Sequence, residues 1–282
     1  MRLGEYERRA ARRLTEAGVD SPRLSIRILV CHGLRIDNVA HILAADRELT
    51  PQETACLDAL TARRARGEPV AYITGRKEFY GRDFHVTRQT LIPRPETELL
   101  VDAALEAFAD PTLLFADLGA GSGCIGVTLC LERPAWRGIL VDASFPALSV
   151  ARKNAEELGA AERTTLVQAD MCATPGGSGI FDLVAANPPY IAPEDQGRVM
   201  DEVLRFEPRD ALFSPGAGLA HLRCAVSAAA RLLRADGAVI IEHGAAQGES
   251  VRELLRTTER FRNISTRKDL AGLERCTLAR RL

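Results

Sequence analysis

Asn187-Pro188-Pro189-Tyr190 follows a short apolar run, Phe181-Asp182-Leu183-Val184-Ala185-Ala186, and its residue types suit one kind of task. A planar NH2 group, on an amide or an aromatic amine, is a poor nucleophile because its lone pair is delocalised into the π-system. It reacts when both hydrogens are held and the lone pair is turned toward an electrophile. The Asn187 side-chain oxygen and the Pro188 carbonyl can each accept one hydrogen, the two prolines stiffen the loop, and Tyr190 can pack on a flat acceptor. Catalysis of this kind is positioning in a dry site, without a general base. Taken alone, the four residues leave two acceptors open, a glutamine-type amide and the amine of adenine.

A second constellation suggests the electrophile. Asp117-Leu118-Gly119-Ala120-Gly121-Ser122-Gly123 falls where a strand gives way to a helix, and glycines there let a ligand approach the backbone. Gly121, Gly123 and Gly126 also read as GxGxxG, the pattern of a dinucleotide site. Asp117, two places before the first glycine, favours a ligand with a cationic amino acid moiety, which S-adenosylmethionine has and nicotinamide dinucleotides lack. Asp142 ends the next strand 19 residues past Gly123, where an acid can take both ribose hydroxyls or, alternatively, cap the following helix. Asp170 ends a third strand and can accept from an adenine amine while Met171 packs on the ring.

Other polar residues are less specific. Glu207 in Phe206-Glu207-Pro208 either borders an acceptor loop or braces it, and the sequence leaves both open. His243 in Glu242-His243-Gly244 reads as structural or solvent-facing rather than as a metal ligand, and no cysteine cluster has zinc spacing, so no metal is expected. Cys124, beside the glycine loop, has the neighbours of a packing residue.

These residues need a frame. From Tyr6 to about Arg66 the pattern is helical: Ala10, Leu14 and Ala17 mark one helix ending at Gly18, and Leu24, Ile28 and Leu29 a second after Ser21-Pro22. A third starts at a Thr50-Pro51-Gln52-Glu53 capping box and carries Leu57 and Leu60. Ala71-Tyr72-Ile73 and Glu78 to Val86, with aromatics around Gly81, read as a β-hairpin, and a helix follows from about Glu96 to Phe108. Apolar strands at Leu114–Leu118, Gly138–Asp142, Thr165–Gln168, Phe181–Ala185 and Gly237–Glu242 alternate with helices, which predicts a parallel, doubly wound α/β sheet. The helix before the last strand carries Leu219, Leu222, Val226, Ala229 and Leu233 and is expected to stop at Gly237, while Gly176-Gly177-Ser178-Gly179 reads as a flexible loop.

With 37 basic and 38 acidic side chains in 282 residues, no net charge draws the chain to nucleic acid or anionic membrane. Seven cysteines, odd in number and without a CxxC pair, fit a reducing compartment. No signal-peptide core or membrane span is legible, so a cytoplasmic, monomeric protein is expected.

The chain resembles the release-factor glutamine methyltransferases, the HemK family. The resemblance spans nearly its whole length, through Arg66-Gly67-Glu68-Pro69-Val70-Ala71-Tyr72-Ile73, Lys77-Glu78-Phe79-Tyr80-Gly81, Ile92-Pro93-Arg94-Pro95-Glu96-Thr97-Glu98, Phe206-Glu207-Pro208 and Lys268 to Arg275. It implies a helical substrate-docking domain over 1–74, a hairpin linker over 75–95 and a Rossmann-like class I methyltransferase domain over 96–282, with a sheet of roughly seven strands. It implies S-adenosyl-L-methionine as methyl donor. The acceptor it implies is the side-chain nitrogen (N5) of the glutamine in the Gly-Gly-Gln motif of class I peptide-chain release factors. Asn187, Pro188, Pro189 and Tyr190 match the family's substrate loop; Gly119 to Gly123, Asp142 and Asn187 match its cofactor contacts, and Met171 an adenine-side contact. Ala120 stands where many members have Thr. The rival readings are an adenine-N6 methyltransferase acting on a flipped base, against which near-neutral charge and the lack of a DNA-reading insertion count, and a cofactor-binding module without catalysis, against which Asn187 and Asp142 count.

Overall fold

A computed structural model of the chain describes residues 1–173 and 178–282. The helical first part holds α1 (Leu3–Glu16), α2 (Pro22–Leu34), α3 (Asn38–Leu43), α4 (Pro51–Ala65) and α5 (Val70–Thr74). There follow β1 (Arg76–Phe79), β2 (Arg82–His85), α6 (Glu98–Ala107), β3 (Leu113–Leu118), α7 (Cys124–Glu132), β4 (Trp136–Asp142), α8 (Phe145–Glu157) and β5 (Thr164–Gln168). The remainder is β6 (Phe181–Ala186), α9 (Asp201–Phe206), α10 (Ala220–Leu232), β7 (Leu233–Glu242), α11 (Gly248–Thr257), β8 (Phe261–Lys268) and β9 (Glu274–Arg281). Gly176 and Gly177 of the expected glycine loop lie outside the described residues. Two compact units result: Met1–Arg76 with Met200–Phe206, and Lys77–Val199 with Glu207–Leu282. Among the described residues no helix is long and apolar enough to cross a membrane.

In the first unit, α1 buries Leu3, Tyr6, Ala10 and Leu14, a stripe at helical spacing, in one core with Ile26, Val30 and Leu57. The Thr50/Glu53 capping box forms as expected at the start of α4. The expected face of α2 holds only at Leu29, which is buried: Leu24 and Ile28 are exposed, and Ile26 and Val30 are buried in their place. Apolar residues surround that helix, so periodicity alone does not choose the side that its partners cover. Ala71-Tyr72-Ile73 is helical rather than extended, in a single turn that starts after Pro69 and is closed by left-handed Gly75. Buried Arg64 donates to the Glu68 carbonyl at 2.9 Å and pairs with Glu202 of α9.

In the second unit, β1 and β2 form the hairpin, turning through Tyr80 and Gly81, both at positive φ. Phe79 and Phe84 are fully buried and meet edge to face at 6.0 Å. The main sheet has seven strands in the order β5-β4-β3-β6-β7-β9-β8. Its first five are parallel, but β9 runs antiparallel to β7 and to β8, so the sheet is mixed rather than wholly parallel. The cause is a tight turn after Lys268, which sends β9 back beside its predecessor without a crossover helix.

Alternate residues of each strand serve opposite faces. Phe115, Leu183 and Ile240 pack with α6 and α7 residues such as Leu100 and Val127, whereas Leu118, Val184 and Ile241 pack with Val226 of α10 and Leu255 of α11. Close approach makes Gly138 obligatory, since a Cβ there would lie 2.3 Å from the Phe115 ring. The helix expected to reach Gly237 stops at Leu232, because Leu233 is extended and pairs with Phe181.

Candidate active site

β3, β4, β5 and β6 all end at the same edge of the sheet, and the loops leaving them build one cavity of about 530 Å³. Ligands of open parallel sheets bind at this edge, and the volume is in the ordinary range for small-molecule sites.

The glycine loop after β3 is fixed by its neighbours. The amides of Gly119 and Ala120 both donate to the Val141 carbonyl, at 2.8 and 3.0 Å, and Gly121 N donates to Asp142 Oδ2 at 2.8 Å. Gly119 has φ +78°, and a Cβ on it would come within 3.0 Å of the Met171 Cε. Its lack of a side chain therefore keeps the cavity open between loop and methionine. Gly119, Ala120, Gly121 and Ser122 all line the cavity; Gly123 instead packs toward Ala151 of α8.

Asp142 lines the cavity from the end of β4, and its second oxygen accepts from Ser144 N at 2.8 Å. Each carboxylate oxygen retains a lone pair for a further donor. The helix N-cap considered as its alternative belongs to Ser144, whose hydroxyl accepts from Ala147 N. Asp170 and Met171 form the opposite wall, where Asp170 Oδ1 accepts from Cys172 N at 2.8 Å.

Asp117 is corrected by the structure. Sequence reasoning aims it at a cationic ligand group, yet it is fully buried, does not line the cavity, and accepts from Gly126 N at 2.9 Å through Oδ2. Its Oδ1 is buried without a partner, and burial pushes its pKa up to about 7. The residue ties the start of α7 to the end of β3 and shapes the glycine loop from behind.

The loop after β6 divides in the same way. Asn187 and Pro189 line the cavity, while Pro188 is buried and Tyr190 packs against the core that holds α10 and α11. Gly218 admits the Tyr190 backbone: a Cβ on this glycine would lie 2.3 Å from the tyrosine's carbonyl oxygen. That carbonyl accepts from Gln247 Nε2 at 2.9 Å, and burial drives the phenol up to about 12. Asn187 Nδ2 donates to Thr97 Oγ1 at 3.2 Å, which turns the amide oxygen away from Thr97.

Several functional residues escape the sequence reading. Arg94, Thr97 and His221 line the cavity, and Glu242, at the end of β7, lies buried nearby with its Oε2 unpartnered. A glutamate closing the apolar run Ala238-Val239-Ile240-Ile241 is the signal that could have found it. Glu207 is resolved as a brace: its Oε2 accepts from Ile92 N at 3.0 Å and its Oε1 from Arg94. His243 is structural, with Nδ1 donating to the Gly244 carbonyl and Nε2 accepting from Thr277.

Cysteine spacing predicts no disulfide, but Cys172 and Cys224 are bonded across 52 residues. The bond joins the turn carrying Met171 to α10, which carries His221. Cys124 is a buried packing thiol, pushed up to about 12 by desolvation.

Residues 5–75 match the model described as PrmC N-terminal domain, and residues 96–217 that of the Methyltransferase small domain. A release factor glutamine methyltransferase of Nitratidesulfovibrio vulgaris is 44% identical over 97% of this chain and 93% of its own. One of Cereibacter sphaeroides is 41% identical over 99% of both. Among solved structures, the hMettl16 catalytic domain in complex with a MAT2A 3′UTR hairpin superposes with a TM-score of 0.57 at 14% identity, covering 78% of this chain and 81% of the other, a likeness of fold alone.

Proposed function

The chain belongs to the release factor glutamine methyltransferases, and from that premise we propose that the loop at Asn187 holds the acceptor amide for methyl transfer. The enzyme transfers the methyl group of S-adenosyl-L-methionine to the side-chain nitrogen of the glutamine in the Gly-Gly-Gln motif of class I release factors. The observation that carries the role of Asn187 is its amide nitrogen engaged by Thr97 beside the cavity, which leaves an acceptor oxygen for the substrate.

The residues present fit the methyl donor. Asp142 would hold the ribose hydroxyls, Asp170 and Met171 the adenine, and the Gly119–Ser122 backbone the amino acid tail. When bound, the donor supplies a sulfonium methyl as electrophile. Asn187 Oδ1 and the Pro188 carbonyl each accept one hydrogen of the glutamine NH2, and so aim its lone pair at that methyl. A C–N bond forms as the C–S bond breaks, and the nitrogen then loses one of its two protons to solvent. Preorganised acceptors cost no reorganisation as charge develops. Tyr190 supports the loop from the core side rather than stacking on the acceptor, and Glu207 holds the Ile92–Arg94 segment at the cavity rim.

The protein works as a cytoplasmic monomer without stable nucleic acid contact in this reading, which the balanced charge supports. The test is transfer from labelled S-adenosylmethionine to three acceptors: a release factor, that factor with its Gly-Gly-Gln glutamine replaced by Ala, and duplex DNA. Label on the first alone is expected; equal label on the Ala variant, or better transfer to DNA, would overturn the reading.

A further inference from the structure

We propose that Arg94, held in place by the buried Glu207, binds the carboxylate of the methyl donor's amino acid tail and makes the site select donors that carry that carboxylate. The inference rests on the reading of the cavity as the site of S-adenosylmethionine.

S-adenosylmethionine carries two cations, a sulfonium and an ammonium, and one anion, the carboxylate. A carboxylate only accepts hydrogen bonds, so its site must offer N–H or O–H donors. The glycine loop has few to spare. Gly119 N and Ala120 N donate to the Val141 carbonyl, Gly121 N to Asp142 and Gly123 N to the Ala120 carbonyl at 2.7 Å. Four of the five amides from Gly119 to Gly123 are therefore spent inside the protein. What the loop mainly keeps is carbonyl oxygens, which suit the ammonium group rather than the carboxylate. Asp142, Asp170 and Asp210 also line the cavity and repel an anion.

Among the described residues Arg94 is the one lysine or arginine that lines the cavity. Its place is on the side of the glycine loop and Asn187. The Arg94 carbonyl accepts from Thr97 N at 3.1 Å, Thr97 Oγ1 accepts from Asn187 Nδ2 at 3.2 Å, and a Cβ on Gly119 would lie 3.8 Å from the Asn187 carbonyl oxygen. Arg94 Nη2 donates to Glu207 Oε1 at 2.5 Å, while Nε and Nη1 have no partner among the described residues. A guanidinium presents its N–H groups as a flat fork that matches a carboxylate, so the free part of this one is ready for a second anion. Glu207 fixes the fork from behind. Its side chain is 1% exposed, and its other oxygen accepts from Ile92 N at 3.0 Å. A glutamine could accept from Ile92 N equally well, so the charge of Glu207 serves Arg94. The pair is neutral as a whole, and it takes the carboxylate without setting a net positive charge against the donor's own cations.

The test is calorimetry on the full chain with two ligands, S-adenosylmethionine and its decarboxylated form, which keeps the sulfonium and the amine and lacks the carboxylate. The wild type should bind the first about tenfold to hundredfold more tightly, the range of one charge-assisted interaction. Arg94→Met, similar in length and uncharged, should lose about that factor for S-adenosylmethionine and none for the decarboxylated ligand, so that the preference disappears. Arg94→Lys, which keeps a cation without the fork, should retain part of the preference. Equal affinity of the wild type for the two ligands would overturn the proposal. So would Arg94→Met with wild-type affinity for S-adenosylmethionine, or with the same loss for both ligands, the mark of a residue that only braces the loop. In these cases a wild type that labels a release factor leaves the functional reading standing. A wild type that binds neither ligand would bring down both.

Discussion

Asn187 Nδ2 donates to Thr97 Oγ1 at 3.2 Å, joining the loop after β6 to the segment that precedes α6 across 90 residues of chain. The contact gives the Asn187 amide an orientation before any substrate arrives. Asn187→Ala removes the acceptor oxygen and should lower kcat about a hundredfold, the scale of one lost preorganised group. S-adenosylhomocysteine affinity should change little. A near-normal kcat in the variant would show that the loop does not hold the reacting amide.

Asp142 binds on two sides. It accepts from Gly121 N and Ser144 N, both at 2.8 Å, and faces the cavity. Asp142→Asn keeps the shape but loses the charge and half the accepting capacity, so the KM for the methyl donor should rise about tenfold or more, with a smaller change in kcat. Steady-state kinetics with the donor varied would check this; an unchanged KM would take the ribose role away from Asp142.

Asp117 predicts a dependence of stability on pH. Its pKa lies at about 7 in the folded chain against an ordinary value near 3.8, so the folded state binds the extra proton between those values. Stability therefore falls as pH rises from about 4 to about 7 and is flat with respect to this group on either side. Asp117→Asn removes that loss. In urea denaturation the variant should gain on the wild type by on the order of 4 kcal/mol at pH 8 relative to pH 4. A difference that does not vary with pH would contradict the burial of this carboxyl as a charge.

The Cys172–Cys224 bond closes a chain segment of 52 residues, a constraint on the unfolded state worth about 4 kcal/mol. Reductant should lower the denaturation midpoint of the wild type and leave that of Cys224→Ser unchanged. Thiol titration of the denatured, unreduced chain should count five free cysteines, and a count of seven would show the bond is not made.

Much of this site is local and so is legible in one dimension. A glycine loop announces itself by its own residues, acids at strand ends by their position, and Asn187-Pro188-Pro189 by the rigidity of two adjacent prolines. What escaped is non-local. Thr97 matters only because the fold brings it to Asn187, and nothing in its own neighbourhood says so. Asp117 misled because its place in the motif fits a ligand contact, whereas the Gly126 amide reaches it first. The chemistry of Tyr190 suits a flat acceptor, but its ring packs against the core that holds α10 and α11, and the glycine that makes room for its backbone, Gly218, is 28 residues away. In the frame, β8 and β9 escaped because exposed, charged positions interrupt the apolar pattern of β8, and the face of α2 escaped because its apolar residues encircle it.

The central claim is that this chain methylates one side-chain amide, and fragmentation mass spectrometry of the product addresses it most directly. A release factor incubated with the enzyme and S-adenosylmethionine, then digested and sequenced, should carry a single added methyl group on the Gly-Gly-Gln glutamine, at its side-chain nitrogen. The same factor treated with Asn187→Ala should carry almost none. Methylation at any other residue, or an unmodified glutamine after complete turnover of the donor, would contradict the account.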